Sequence, residues 1–354
     1  MIRDSGFTAR RDYDGQVQHR TIMKKATGIN IALLLSSLFF VILLSEVTLR
    51  FFYKAEKETA IRNTILGEEF PYSFLPNSSF IETNSEFSMV VKINNVGLRD
   101  YDYGPNYFKD SFVVLGTGDS FTWGVGVNME EGYLAVAESL LNAASLNIKI
   151  IKAGMPGYHP INELDFVEHY VKRKLNLVFN MMTIGFLPND IDELLLKNSI
   201  RYGQQKPSDL NIRAHSKKLL QSSFLYQRIQ QLKLFRTLRG KAPFHYGRKM
   251  NEEEKQIISD IIRKAEGYSS TIPVVFVLIP QMDNILYKAY PDMFRVIKEM
   301  ITGRNMFFMD TYDEFVKYDP YSLYYVKDQH LTKLGQNIVG RLLAKKIGEL
   351  RFSH

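Results

Sequence analysis

The sequence predicts an α/β domain of three layers, a central parallel sheet of about five strands with helices on both faces, preceded by one apolar N-terminal helix. Three observations predict it. Five short, nearly continuous apolar runs have strand length: SFVVLG (111–116), IKIIKA (148–153), VFNMMTI (178–184), PVVFVLI (273–279) and NMFFM (305–309). Amphipathic helical stretches fall between or after them, near 130–145, 160–174, 253–267, 291–302 and 332–349. Strands without polar alternation are buried on both faces, which requires crossover helices on both sides of a parallel sheet. Finally, 45% hydrophobic residues in a chain of 354 suffice for a substantial core.

Taken in chain order, residues 1–25 form a charged tail, expected in the cytoplasm. Ala26 to Ser45 is twenty residues without a charge, which as a helix rises about 30 Å, the thickness of a bilayer core. An uncleaved transmembrane anchor over 26–53 is expected. A cleaved signal peptide is the rival, but the leader is long and no A-x-A-like cleavage site follows. Arg3, Arg10, Arg11, Arg20, Lys24 and Lys25 precede the helix, and Arg50, Lys54, Lys57 and Arg62 follow it. This bias favours a cytoplasmic N-terminus, with the bulk of the chain periplasmic or extracellular. Residues 54–110 read as a linker, helical near 56–67, and then an irregular, partly β lead-in rich in Pro, Asn and Gly.

The main domain spans 111–354. Between its third and fourth strands lie about 85 residues, far more than one crossover needs. This is an insertion, at about 195–250, and it carries the charge excess: Lys206 to Lys249 holds eleven Lys or Arg against Asp209, in a chain of formal charge +7. A solvated helix face, a partner-docking surface and a membrane-surface helix all fit such a stretch. No nucleic-acid module accompanies it, so no nucleic-acid partner is expected.

Zero cysteines exclude disulfides, thiolate metal sites and a cysteine nucleophile. The P-loop pattern, a complete G-x-G-x-x-G, the G-x-S-x-G elbow and H-E-x-x-H are all missing from the sequence. No cofactor and no metal are expected. Residues 113–127, VVLGTGDSFTWGVGV, place Ser120 between a strand and a helix, with four glycines from Gly116 to Gly126. A serine there is ordinarily a helix cap. As a nucleophile it needs a base, and the usual base is a histidine oriented by a carboxylate. Of seven histidines, His19 precedes the apolar helix, His215 and His245 lie in the insertion, His354 is terminal and His169 falls on a helix. His159 and His330 remain. His330 follows Asp328 in a short D-x-H segment before the last helix.

Four blocks then carry a family resemblance. GDSFTWG (118–124) resembles the first block of the SGNH/GDSL hydrolases, and KDQHLTKLG (327–335) resembles their last. AGMPGYHP (153–160) and IGFLPND (184–190) are similar to the two blocks between, all in the family's order over about residues 111–350. Two departures stand out: the last block is D-x-H where D-x-x-H is usual, and the third reads F-L-P-N-D in place of G-x-N-D.

The resemblance implies a flavodoxin-like fold and acyl transfer through a covalent intermediate. Ser120 would be the nucleophile, His330 its base and Asp328 the residue orienting that base. The N–H groups of Ser120 and Gly157 and the Asn189 amide would form the oxyanion hole. Asp119 and Asp190 are read as supports for their neighbours, and His159 as a substrate contact. Each has a plain structural alternative: Ser120 and Asn189 as caps, Gly157 as a turn residue, Asp328 as a loop acid. Asp310 and Trp123 are read as structural.

The function expected is a serine esterase acting on ester-linked acyl groups, foremost acetyl, of a cell-envelope glycan outside the cytoplasmic membrane. Its partners would be an acylated carbohydrate or other ester substrate and, through the N-terminal helix, the membrane. Two alternatives accompany it: an O-acyltransferase working beside a multi-spanning membrane acyltransferase, and an inactive SGNH-fold scaffold.

Overall fold

In the computed structural model, residues 29–30, 33–48, 63–191, 194–195, 248–302 and 305–353 are described. The N-terminal tail, parts of the expected anchor and linker, and nearly all of the basic insertion lie outside them. Residues 33–48 are helical and belong to the smaller of the two units into which the chain divides. Their apolar side chains, among them Leu34, Phe39 and Phe40, are exposed. The hydroxyls of Ser45 and Thr48 donate back to the carbonyls of Val41 and Leu44, 2.8 Å each, which satisfies them inside the helix. Among the described residues no helix is long and apolar enough to cross a membrane.

The main domain is built on five parallel strands, β5 (Phe112–Gly118), β6 (Ile148–Gly154), β7 (Met181–Phe186), β8 (Val274–Leu278) and β9 (Met306–Asp310). They follow two antiparallel pairs in the lead-in, β1 (Thr64–Leu66) with β2 (Tyr72–Phe74), and β3 (Ser79–Thr83) with β4 (Ser88–Lys92). Residues 64–66 are therefore strand where the sequence reads the end of a linker helix. The partner strand, supplied by Tyr72 to Phe74, outweighs local propensity there.

The order in the large sheet is β6-β5-β7-β8-β9, the 2-1-3-4-5 order of flavodoxin-like sheets, with its switch point beside the first strand. Side chains alternate between two cores. Leu115, Ile151, Ile184 and Phe276 face one, shared with α3 (Pro160–Phe166, continuing as a π-helix over Val167–Lys174), α4 (Glu252–Ser269) and α6 (Asp292–Met300). Val114, Ile150, Val275 and Val277 face the other, shared with α2 (Tyr133–Ala143), α5 (Met282–Leu286), α7 (Tyr312–Phe315), α8 (Pro320–Leu323) and α9 (Lys333–Ser353). This is the three-layer arrangement expected from the apolar runs.

The lead-in is part of the first core. Phe74, Phe80, Met89, Val91, Ile93 and Leu98 are buried there, and Phe74 stacks on Trp123 with ring centroids 5.7 Å apart. At roughly 1.5–3 kcal/mol for each large apolar side chain, burial is the main force that seats this segment on the sheet.

A buried ion cluster fixes it further. Lys152 Nζ of β6 donates to Asp100 at 2.8 Å and Glu138 at 2.5 Å, and Tyr103 OH donates to the other Asp100 oxygen at 2.6 Å. Burial alone pulls the Lys152 ammonium down, and the two carboxylates outweigh it, so its pKa ends above the ordinary lysine value. The stability this contributes is complete below the unfolded lysine value of about 10.4 and is lost as pH rises through the higher folded value. Lys152→Ala strands two buried carboxylates and is expected to cost about 3–5 kcal/mol, read as a lowered urea midpoint at neutral pH.

Candidate active site

The carboxyl ends of β6, β5 and β7 are neighbours, and one site residue follows each. The register places Gly118 beside Gly154, and Thr117 beside Ile184. Loops leaving these ends converge on the switch point, where open α/β sheets bind ligands.

Ser120 opens α1 (Ser120–Trp123), a single helical turn immediately after β5. Asp119, and not Ser120, is its cap: the buried carboxylate accepts Phe121 N–H at 2.9 Å. The Ser120 hydroxyl is thereby left for other use. Glycine permits the tight exit. Gly118 has φ +155, and a Cβ there would stand 1.9 Å from Thr122 Oγ1. A Cβ on Gly154 would meet Trp123 N at 2.5 Å, so α1 rests directly on the end of β6.

His330 comes from the other end of the chain. Tyr325 N–H donates to His330 C=O and Gln329 N–H to Tyr325 C=O, both at 2.9 Å, which closes a tight loop over 325–330. Gln329 has φ +70, a left-handed conformation that only the closed loop compels a non-glycine residue to keep. Within this loop Asp328 Oδ1 lies 2.5 Å from His330 Nδ1, and His330 Nε2 lies 2.7 Å from Ser120 Oγ. With the carboxylate accepting at Nδ1, the proton of the neutral ring sits there, and Nε2 is free to accept from the serine hydroxyl. The D-x-H spacing is therefore long enough to join all three side chains.

The other two loops flank the serine. Met155 N–H donates to Gly118 C=O at 2.8 Å, tying the β6 loop to the end of β5. Tyr158 N–H donates to Met155 C=O, and Gly157 has φ +72 inside that turn, the conformation a type II turn demands after Pro156. Among the described residues no heavy atom stands within 4 Å of a Cβ built on Gly157. Asn189 begins the helical residues 189–191 after β7, and Asp190 Oδ2 accepts Leu187 N–H at 2.8 Å, closing that loop. His159 is buried at the start of α3, its Nδ1 facing Asn162 N–H at 3.4 Å. Asp310 pairs with Lys298 and accepts from Tyr290 OH, at 2.5 Å each.

Four further residues, which the sequence does not single out, shape the site. Gln336 on α9 is fully buried; its carbonyl accepts Tyr133 N–H at 2.9 Å and its amide donates to Phe121 C=O at 3.1 Å, locking α1, α2 and α9 together. Its signal is a polar residue on the buried stripe of an amphipathic helix. Arg99, buried in the lead-in, donates to the carbonyls of Trp123, Gly124 and Val127 and lies over the Trp123 ring. Burial pulls its pKa to about 10, against Glu82 and Glu130. Asn84 Nδ2 donates to Asp328 Oδ2 at 3.0 Å, and Glu86 accepts the N–H groups of Lys327 and Asp328 at 2.8 Å each. Nearby, burial holds the Glu82 carboxyl above its usual range, with Arg99 and His330 opposing and Asp328 adding. In the sequence, Asn84 and Glu86 fall within the irregular, partly β lead-in and carry no separate signal.

The strand order, with a site-bearing loop after each of the first three strands of the sheet and His330 before the last helix, meets the expectation from the four sequence blocks. The fold is a three-layer α/β/α arrangement with a flavodoxin-like strand order.

No protein-family model matches the chain, and no curated protein matches it. Solved structures similar to it include a family 3 carbohydrate esterase of Clostridium thermocellum, 14% identical, over 68% of this chain and 98% of that one, with TM-score 0.42. A catalytic mutant of an acetylxylan esterase from Geobacillus stearothermophilus is 14% identical over 67% and 94%, with TM-score 0.41. A lipolytic protein of the G-D-S-L family from Veillonella parvula is 14% identical over 66% and 96%, with TM-score 0.38.

The glycine contacts lead to a stability contrast. Gly154→Ala sets a methyl group against backbone that no side-chain motion relieves, and is expected to cost about 1–3 kcal/mol. Gly267→Ala, on the exposed face of α4 with open space around it, is expected to be neutral or to stabilise by up to about 1 kcal/mol. Thermal melts of the two variants check both.

Proposed function

We propose that this chain is a serine esterase of the SGNH type that removes acyl groups, foremost acetyl, from ester-linked cell-envelope glycans outside the cytoplasmic membrane. The observation that carries the reading is the continuous series from Ser120 Oγ through His330 to Asp328, at 2.7 and 2.5 Å. His330 Nε2 takes the Ser120 proton as Oγ attacks the acyl carbon, and Asp328 holds the ring in the tautomer that accepts it. The negative oxygen of the tetrahedral intermediate is held by the N–H groups of Ser120 and Gly157 and by the Asn189 amide. His330 returns the proton to the departing sugar hydroxyl, leaving the acyl group on Ser120. A water then gives its proton to His330, attacks the acyl carbon, and releases the carboxylic acid and free serine.

Placement at a membrane rests on the uncharged stretch Ala26 to Ser45 and on the exposed apolar side chains of the helical residues 33–48. With Arg and Lys ahead of it, that stretch serves as an anchor whose N-terminus is cytoplasmic. The polymer outside the membrane is then the substrate within reach.

The test uses the detergent-solubilised full chain with aryl esters of two, four and eight carbons and a serine-reactive fluorophosphonate. Acetate turnover and labelling are expected, with kcat falling about 10⁴-fold or more in Ser120→Ala and in His330→Ala. Asn189→Ala is expected to lower kcat about 10²- to 10³-fold with little change in KM. A wild-type chain that neither labels nor turns over any of the esters refutes the esterase. Labelling with slow hydrolysis, accelerated by an added glycan acceptor, points to transfer in place of hydrolysis.

A further inference from the structure

The β3–β4 hairpin reaches the catalytic loop from a part of the chain outside all four sequence blocks. Its inner face is seated firmly. Phe80 and Met89 are buried, Met89 Sδ accepts Gly126 N–H at 3.2 Å, and the Phe87 ring lies 5.1 Å from that of Tyr325. The tip is also ordered, because Asn84 Oδ1 accepts the N–H groups of Glu86 and Phe87 at 2.8 and 3.1 Å. From this base the same two residues hold the Asp328 segment at three points. Asn84 Nδ2 meets Asp328 Oδ2 at 3.0 Å, and Glu86 Oε2 takes both Lys327 N–H and Asp328 N–H at 2.8 Å.

We propose that Asn84 and Glu86 are positioning residues, a latch through which the lead-in hairpin sets Asp328 for His330. The role rests on the serine-esterase reading of the site. Asp328 has two carboxylate oxygens and one of them must face Nδ1. Asn84 donates to the other, which fixes the plane of the carboxylate and so keeps the facing oxygen in line with Nδ1. Glu86 fixes the backbone at the strained step before Gln329, whose φ of +70 leaves the loop free to relax if its flank is released. Neither residue touches a reacting atom. Both act through the Asp328 carboxylate, so their effect falls on turnover and not on substrate capture.

The full chain in detergent is assayed with an aryl acetate. Asn84→Ala and Glu86→Ala are each expected to lower kcat about tenfold with KM within about twofold. Glu86→Gln keeps an acceptor oxygen and is expected within about twofold of wild type. Ile81→Ser, on the outer face of the hairpin, is expected to change neither constant, and thermal melts separate latch loss from unfolding. In an Asp328→Ala background Asn84→Ala is expected to cause no further loss, because the group it acts through is gone. Unchanged kcat in both alanine variants, or equal losses with and without Asp328, overturns the latch.

A second readout needs no turnover. The far-downfield proton resonance of His330 Nδ1–H, assigned by its disappearance in His330→Ala, is expected to shift or broaden in Asn84→Ala. A resonance unmoved in that variant overturns the latch. A wild-type chain without turnover defeats the esterase alone, and the resonance then decides the latch by itself.

Discussion

The contact on which the rest of the site depends is the hydrogen bond between Ser120 Oγ and His330 Nε2. The two residues are 210 positions apart along the chain. Bringing Ser120 and His330 to 2.7 Å therefore requires the folded sheet, because Ser120 follows β5, the second strand in the sheet order, and His330 lies just ahead of α9. Gln336 is the pin between them. It stands six residues beyond His330 and spends both ends of its amide on Phe121 C=O and Tyr133 N–H. The helix that follows His330 is thus tied to the turn that carries Ser120.

The lead-in serves the same end from the opposite core. Apolar burial seats it, and polar contacts then give it direction. Arg99 takes three carbonyls of the segment Trp123 to Val127, the stretch where α1 ends and the chain turns away from the site. A charged group buried this deeply is costly unless its donors are used, so its survival in the core depends on that segment keeping its shape. Lys152 likewise couples Asp100 of the lead-in to β6 and Glu138 of α2. The lead-in is consequently a part of the domain's core and of the wall of the site.

Some residues were readable because their signal is local. The five strands, the helices between them and the turn at Pro156-Gly157 each rest on a run of neighbours: apolar continuity, helical spacing, a Pro-Gly pair. Ser120 and Asp119 show the limit of that reading. Sequence chemistry places either at a helix start, and only the structure assigns the cap to Asp119 and leaves the Ser120 hydroxyl pointing to His330. Residues 64–66 show it again, since a strand of three residues exists only through its partner at 72–74.

Sequence by itself determined the layers, the order of the four blocks and the chemical types present at each strand end, because periodicity and residue type are properties of short stretches. Only tertiary structure decided that Asp328, Asn84 and Glu86 form one hydrogen-bonded group across more than 240 positions. A hydrogen bond needs two groups within about 3 Å, and no pattern along one segment records what another segment brings to it.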